Sequence, residues 1–396
     1  MLEKVKKIDG VIVLMLILLM IVSITSIYSS TNGSETFGGF HLKMLVYYGL
    51  GFIAFFGLMF IDYRLLIKNG LYIYLFGIGL LLLVNFIGKS KNGSKGWLDI
   101  PGGLSLQPAE LFKLVLIVFL AAVLVYKNKS KLTFWRDTVP LGLITLLPFG
   151  IVIMLNDLGN ALSYAVIFFG LLWIGNIKFS HAVIGLIIIG GLAFAGVTSY
   201  IHYHDKAVSF IEDTLGLDHL VNRFDPWLVP DLASKDASYH TTNAKIAIAS
   251  GGMSGEGYME GTSVQNNRVP YTYSDAIFVQ IAEEFGFIGS AGVLLLFFIL
   301  IHRMILIALE CKERGGPFLI VGVVSMLMYQ ILENIGAFIG LMPLTGITLP
   351  FISFGGTSLL INMASMGVVM SVRLYGGEVE EQLPAYPMYS PPAKIL

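Results

Sequence analysis

Asp275 closes the run Arg268-Val269-Pro270-Tyr271-Thr272-Tyr273-Ser274-Asp275 and is followed at once by the apolar segment Ala276-Ile277-Phe278. A carboxylate at that boundary can serve as the N-cap of the following helix. Beside an apolar cavity the same group would have its pKa raised and could act as a general base. Glu283 and Glu284 follow about two helical turns later, a like-charged pair that needs a compensating neighbour such as Arg268 or Lys113. The stretch Gln107-Pro108-Ala109-Glu110-Leu111-Phe112-Lys113 sets an acid and a base on one helix face at ion-pair spacing, with Pro108 suited to the first turn. That pair is either a structural bridge at the membrane interface or part of a groove in which Lys113 holds a diphosphate. Asn156-Asp157-Leu158-Gly159-Asn160 offers either a helix cap in Asp157, with Asn160 completing the turn, or a polar group facing substrate. Glu333-Asn334 stands deep in an apolar run, where such residues most often hold helices together. From Met342 to Ser358 the chain packs Pro, Gly and hydroxyl side chains, Ser353 and Ser358 among them, at membrane depth. Irregular backbone survives there only when protein or a watery cavity shields it. The stretch reads as a reentrant loop lining a cavity, against the alternative of a kinked helix packing through small residues.

The elements that must position these groups follow from composition. Of 396 residues, 56% are hydrophobic and only 13% charged, against roughly a quarter charged in ordinary soluble domains. One water-facing core could not hide so much apolar surface, which makes the chain an all-α polytopic membrane protein. About ten apolar runs approach the ~20 residues that a bilayer-crossing helix needs. They lie near Val11–Ile27, Leu45–Ile61, Leu71–Gly88, Leu106–Tyr126, Val139–Leu155, Leu158–Ile174, Ala182–Tyr200, Ala276–Ile301, Pro317–Gly340 and Leu349–Val372. The fifth and sixth are split only by Asn156-Asp157, so they form either two tilted helices or one reentrant hairpin. The first follows Lys4, Lys6 and Lys7, lacks a clean small-residue cleavage site, and reads as a retained helix.

Lys and Arg gather on alternate connections, at Arg64, Lys68, Lys127, Lys129, Lys131, Arg136, Lys178, Arg303, Lys312, Arg314 and Arg373, which places both termini in the cytoplasm. Lys89, Lys91 and Lys95 fall on the outer side, against that trend. One large outer loop, about 201–275, then separates spans seven and eight. Its stretch from Lys245 to Ala249, followed by Ser250-Gly251-Gly252, reads as a short packed helix and turn, so the loop is expected to be partly ordered. The membrane domain is taken as 1–375 and the remainder, 376–396, as a flexible cytoplasmic tail.

A formal net charge of −1 gives no basic excess for a nucleic-acid partner. The lone Cys311 excludes a disulfide framework and a cysteine zinc site. His202, His204, His219 and His240 lack the spacing of a metal template, and Gly251 to Gly257 lacks the lysine and the βαβ setting of a phosphate-binding loop. No internal repeat supports an inverted-repeat transporter.

Several motifs occur in order along the chain. These are Trp97-Leu98, Gln107-Pro108-Ala109-Glu110 with Lys113, Asp157-Leu158-Gly159, and Ser250-Gly251-Gly252 with Gly255 and Gly257. Then come Ser274-Asp275-Ala276-Ile277-Phe278, Ala282-Glu283-Glu284-Phe285-Gly286-Phe287-Ile288-Gly289, and the stretch from Pro343 to Ser358. In these motifs, over nearly its whole length, the chain resembles the SEDS family (shape, elongation, division and sporulation), whose members include RodA, FtsW and SpoVE. The resemblance implies a peptidoglycan glycosyltransferase that polymerises lipid II into β-1,4 glycan strands at the outer face of the bacterial cytoplasmic membrane. It also implies membrane lipid and a class B penicillin-binding transpeptidase as partners.

The family's essential aspartate matches Asp275, and the Glu and Lys of its Gln-Pro-Ser-Glu segment match Glu110 and Lys113. Leu155-Asn156-Asp157-Leu158-Gly159-Asn160 departs from the family's Gln-Pro-Asp-Leu-Gly-Thr, and Tyr239-His240-Thr241-Thr242-Asn243 departs from its Tyr-Gln-x-x-Gln. The implied chemistry makes Asp275 the base for the acceptor hydroxyl. Trp97, Glu110, Lys113, Asp157, Arg223, Arg268, Ser353 and Ser358 form the expected substrate-binding set. Lys113, Arg223 or a divalent cation, Mg or Mn, would steady the diphosphate. A lipid II flippase would use the same cavity without chemistry and is the competing expectation; an ion-coupled exporter is a third. Thr345-Gly346-Ile347-Thr348-Leu349-Pro350 resembles the division and sporulation branches, while the short N-terminus and compact tail resemble the elongation, RodA-like branch, towards which the reading leans.

Overall fold

Asp9 fixes the start of the first helix. Its carboxylate accepts from the amides of Val11 at 3.1 Å and Ile12 at 3.2 Å and pairs with Arg303. A computed structural model describes residues 6–34, 36–91, 94–100, 104–127, 131–214 and 218–377. The expected tail beyond Gly377, with Lys4 and Lys129, lies outside them. The helices are α1 (Gly10–Thr31), α2 (Phe40–Met59), α3 (Tyr63–Lys68), α4 (Gly70–Ile87), α5 (Pro108–Tyr126), α6 (Val139–Met154), α7 (Leu158–Ile174) and α8 (Phe179–His202). They continue as α9 (His204–Ser209), α10 (Asp218–Leu228), α11 (Lys235–Ser250), α12 (Thr262–Gln265), α13 (Ile277–Glu310), α14 (Gly315–Ile339) and α15 (Gly356–Tyr375). Among the described residues, nine helices are long and apolar enough to cross a membrane, and α7, at 17 residues, is a shorter apolar helix.

Ion pairs gather the cation-rich connections at one end. Arg64 reaches Glu313 at 2.9 Å, Arg373 pairs with Glu310, and Lys127 pairs with Asp137. Leu132 bridges to Ile177 at this same end. This is the end that the positive-inside rule expects in the cytoplasm. At the opposite end, strands β1 (Lys89–Lys91), β2 (Ser94–Ile100) and β3 (Leu104–Leu106) form an antiparallel sheet in the order β1-β2-β3. The sequence reading did not foresee this sheet. Its strands are short and polar, and Lys89 meets Asp99 across it at 2.6 Å.

Helices α5, α14 and α15 form the centre, with 78%, 67% and 89% of their spans buried, whereas α8 has 0%. An all-round apolar helix left unburied by protein must face lipid, so α8 stands apart from the bundle. Helices α6 and α7 run side by side, joined through Asn156 at φ 62°. Two expected spans need correcting. The last helix begins at Gly356 rather than Leu349, because residues 341–355 are irregular and fold back as a loop. The eighth span extends over Ile277–Glu310 and is broken at Gly286, where φ is 62° and ψ −157°. The outer loop, expected to be partly ordered, is largely helical in α9 to α12.

Candidate active site

At the end opposite the cation-rich connections lies a cavity of about 1060 Å³, near the upper bound for small-molecule pockets. Its walls carry Trp97 from β2, Glu110 from α5, Asp157 from the α6–α7 turn, Arg223 from α10, and His240 and Lys245 from α11. Asp275, the irregular segment from Met342 to Gly355, and Ser358 close it from the other side.

Asp275 does not cap α13, contrary to the first reading of its position. The N-cap is Ala276 and no side chain caps this helix end, so the Asp275 carboxylate is left for the cavity. Its backbone is stitched to the reentrant loop. Asn334 Nδ2 donates to the carbonyls of Asp275 and Ile347, both at 2.7 Å. Ser353 Oγ donates to the Ser274 carbonyl at 2.7 Å, and the Phe354 amide donates to the Tyr273 carbonyl at 2.9 Å. A Cβ built on Gly346 would lie 3.6 Å from Asp275 Oδ2, which seats the carboxylate against this loop. Burial pushes the Asp275 carboxyl up from its ordinary value, opposed by hydrogen bonds from Ser274 and its own backbone and by the field of Arg223.

Asp157 is a cap after all. It accepts from the Asn160 amide at 3.2 Å and Asn160 Nδ2 at 2.9 Å, and also from Gln107 Nε2 at 2.7 Å. The cap lies on the cavity wall, so the structural and functional readings of this residue coincide in place. Glu110 faces the cavity and pairs with Lys113 at 2.7 Å, while the Lys113 side chain is fully buried behind it. The geometry therefore bears out the ion pair and leaves Lys113 no exposed surface for a diphosphate.

Arg223 lines the cavity, half-buried, with Nη1 unpartnered. Burial pulls its guanidinium down from its ordinary value, against the fields of Asp157, Glu333 and Asp275. The outer-loop helix α10 thus brings a cation to acids drawn from three other parts of the chain.

Other expected site residues sit elsewhere. Arg268 is exposed and is not on the cavity wall. Ser353 is buried within the reentrant loop, where it also accepts from the Leu349 amide at 2.8 Å, so it braces the loop rather than facing substrate. Ser358 does line the cavity and accepts from Thr348 Oγ1 at 2.8 Å.

Glu283 and Glu284 meet neither Arg268 nor Lys113. Glu283 accepts from the amides of Ser263 at 2.7 Å and Val264 at 3.0 Å, while Glu284 accepts from the Ser29 hydroxyl and from Gln280 Nε2 at 3.4 Å. The glycine-rich segment docks on this part of α13. Amides of Glu256 and Gly257 donate to the carbonyls of Glu283 and Glu284 at 2.9 and 3.1 Å, and Phe287 N donates to Gly252 O at 2.9 Å. The break at Gly286 exposes backbone groups that this segment satisfies.

Sequence reasoning missed His240 and Lys245 as wall residues, although Thr241 and Lys245 share a helix face by their spacing and both line the cavity. Glu333-Asn334 was read as helix glue, and both residues do bind the reentrant loop: Glu333 accepts from the Thr345 amide at 3.2 Å.

Among the described residues, no group of three or more His, Cys, Asp or Glu could hold a metal ion. The cavity acids Asp157 and Asp275 lie in the field of the Arg223 guanidinium.

A model of the cell cycle protein family that groups FtsW, RodA and SpoVE matches residues 7–376. The chain is 33% identical over 363 residues to the Stage V sporulation protein E of Bacillus subtilis (strain 168), covering 90% of this chain and 93% of that protein. It is 29% identical over 304 residues to the peptidoglycan glycosyltransferase MrdB of Escherichia coli (strain K12), covering 77% of each. Among solved structures it is similar to a chain described under "Structural coordination of polymerization and crosslinking by a peptidoglycan synthase complex". That likeness has a TM-score of 0.73 at 25% identity and covers 92% of this chain and 97% of the other. The Rod shape determining protein RodA of Thermus thermophilus shares the fold, with a TM-score of 0.67 at 24% identity over 94% of this chain and 98% of that one. Relatives from different branches match at comparable identity and do not separate the elongation branch from the others.

Proposed function

The chain belongs to the FtsW, RodA and SpoVE family and is a multi-pass membrane peptidoglycan glycosyltransferase; from that premise we propose that it polymerises lipid II into β-1,4 glycan strands with Asp275 as general base. In this reading the acceptor sugar hydroxyl attacks the anomeric carbon of the lipid-linked donor. The bond from that carbon to the diphosphate breaks, polyprenyl diphosphate leaves with the electron pair, and the hydroxyl proton passes to Asp275. Attack opposite the leaving group inverts the anomeric centre and gives the β link.

The observation that carries this reading is the contrast between a fixed backbone and a carboxylate that caps no helix at Asp275. Asn334 and Ser353 hold its segment in place, while the side chain caps nothing and faces a cavity large enough for a sugar diphosphate headgroup. Burial raises its proton affinity, which suits a base. Trp97, Glu110, Asp157, Ser358 and Arg223 line that cavity; in this reading the first four contact the sugars and Arg223 meets the phosphate charge. The cavity opens at the end opposite the cation-rich connections, hence at the outer face of the bacterial cytoplasmic membrane. A class B penicillin-binding transpeptidase is the proposed partner that cross-links the strands.

Purified protein incubated with lipid II tests the reading directly. Wild type should yield glycan strands on a gel and Asp275→Asn should not. Strands from the variant at the wild-type rate would remove Asp275 from the mechanism. Redistribution of lipid II across vesicles by wild type, without strands, would make the protein a flippase.

A further inference from the structure

Two outer-loop helices each bring a cation to the cavity: α10 brings Arg223 and α11 brings Lys245. The third nearby cation, Lys113, is buried and already neutralised by Glu110 at 2.7 Å. Lys245 is different. It is exposed and lines the cavity, and among the described residues no carboxylate is paired with it. Its stem lies across the end of α14. A Cβ on Gly340 would come within 2.7 Å of Lys245 Nζ and 2.8 Å of Cε, and Gly340 itself takes φ +87°. The left-handed φ calls for glycine at this helix end, and the missing Cβ leaves room for the ammonium. Gly340 is also on the cavity wall, which places Nζ at the cavity rim.

On the neighbouring loop helix, Arg223 lines the same cavity and keeps Nη1 buried and unpartnered. A buried guanidinium N–H without an acceptor is costly and points to an acceptor that arrives with a ligand. An ammonium without a counter-ion at the rim asks for the same chemistry. Two phosphoryl groups joined by a bridging oxygen offer the two cations more charge and more acceptor oxygens than a single phosphoryl group does.

The geometry points to Lys245 as a diphosphate-anchoring residue that works with Arg223, so that the two loop helices form a clamp selective for a polyprenyl diphosphate over a polyprenyl monophosphate. This inference rests on the proposed lipid-linked substrate and names which residues grip its charged centre. The competing structural role for Lys245 is to complement the C-terminal dipole of α14. That role would be indifferent to the number of phosphates on a ligand.

The test measures binding of undecaprenyl diphosphate and undecaprenyl monophosphate to the full-length protein in detergent, together with thermal stability. Lys245→Met keeps the stem over Gly340 and removes the charge. We expect it to weaken diphosphate binding about tenfold, the effect of one charge-assisted contact of about 1.4 kcal/mol, and monophosphate binding about threefold or less. Lys245→Arg should restore diphosphate binding to within about threefold. Equal loss for both ligands, or no loss, overturns the clamp, as does failure of Arg to rescue. A second measurement needs no variant: undecaprenyl diphosphate should protect Lys245 of the wild-type protein from amine acetylation, read by mass spectrometry, and absence of protection overturns the proposal. Glycan synthesis by wild type with unchanged diphosphate binding by Lys245→Met would sink the clamp and leave the polymerase reading standing. Lys245-dependent diphosphate binding by a wild type that makes no strands would do the reverse.

Discussion

Eight positions separate Asp275 from Glu283, yet the two acidic groups live in opposite circumstances. Glu283 and Glu284 sit at the break in α13, where backbone amides of Ser263 and Val264, the Ser29 hydroxyl and Gln280 consume their lone pairs. Asp275 sits on a segment held by the reentrant loop, and its carboxylate, bonded within the chain by Ser274 and its own amide, faces a cavity. Both are acids in a largely apolar protein, and desolvation acts on each. What separates structure from chemistry is whether the protein supplies the partners or leaves them to a ligand.

The largest effect should come from Asp275→Asn. Losing a general base costs about 10²–10⁴-fold in rate, and glycan synthesis should fall accordingly while the melting temperature stays near that of wild type. An equal loss of stability would erase the contrast with the glutamate pair.

The glycine segment should behave in the opposite way. A Cβ on Gly255 would lie 2.1 Å from the Glu284 carbonyl oxygen, so Gly255→Val must push the segment off α13. We expect destabilisation of about 1–3 kcal/mol or more, seen as a lowered melting temperature, with activity per folded molecule nearly kept. Glu284→Ala should cost about 1–3 kcal/mol by leaving its buried donors unsatisfied, again in stability before rate.

A subtler distinction is in pH. The Asp275 carboxyl is raised above its ordinary value, and a general base must be deprotonated. Activity should therefore fall as pH drops through that raised value, higher than for an ordinary aspartate near 3.9. Arg223 opposes the rise, so Arg223→Gln should move the acid limb of kcat/KM to still higher pH; a limb that stays put would dissociate the two groups. The smallest effect belongs to Arg268→Ala. This exposed residue lies off the cavity wall, and its loss should change stability by no more than about 0.5 kcal/mol and leave the rate within about twofold of wild type.

Much of this was readable from local spacing. The Glu110–Lys113 pair follows from a three-residue interval, and Asp157 as a cap follows from the Asn-Asp-Leu-Gly-Asn turn. The irregular stretch from Met342 was legible because Pro and Gly at membrane depth need shelter. Other features left no local trace. The Ser29 hydroxyl that meets Glu284 comes from 255 positions away, and the Thr357 hydroxyl that meets the Ser105 carbonyl from 252. No window of sequence contains such partners, which is why Arg268 and Lys113 were the expected, and mistaken, companions of the glutamates. The polar strands at Lys89–Leu106 were missed because their pairing is with one another rather than with an apolar face.

By itself the sequence determined the solvent of this protein, the approximate spans and the motifs that tie it to its family. Those depend on apolar run length and short intervals, both of which are local properties. Only the tertiary structure decided that Asp275 is released from capping, that Lys113 is sealed behind Glu110, and that Arg223 and Lys245 arrive at one cavity on separate helices. The reason is that burial and charge compensation are set by whichever distant groups the fold brings into contact, and that information exists only once the chain has packed.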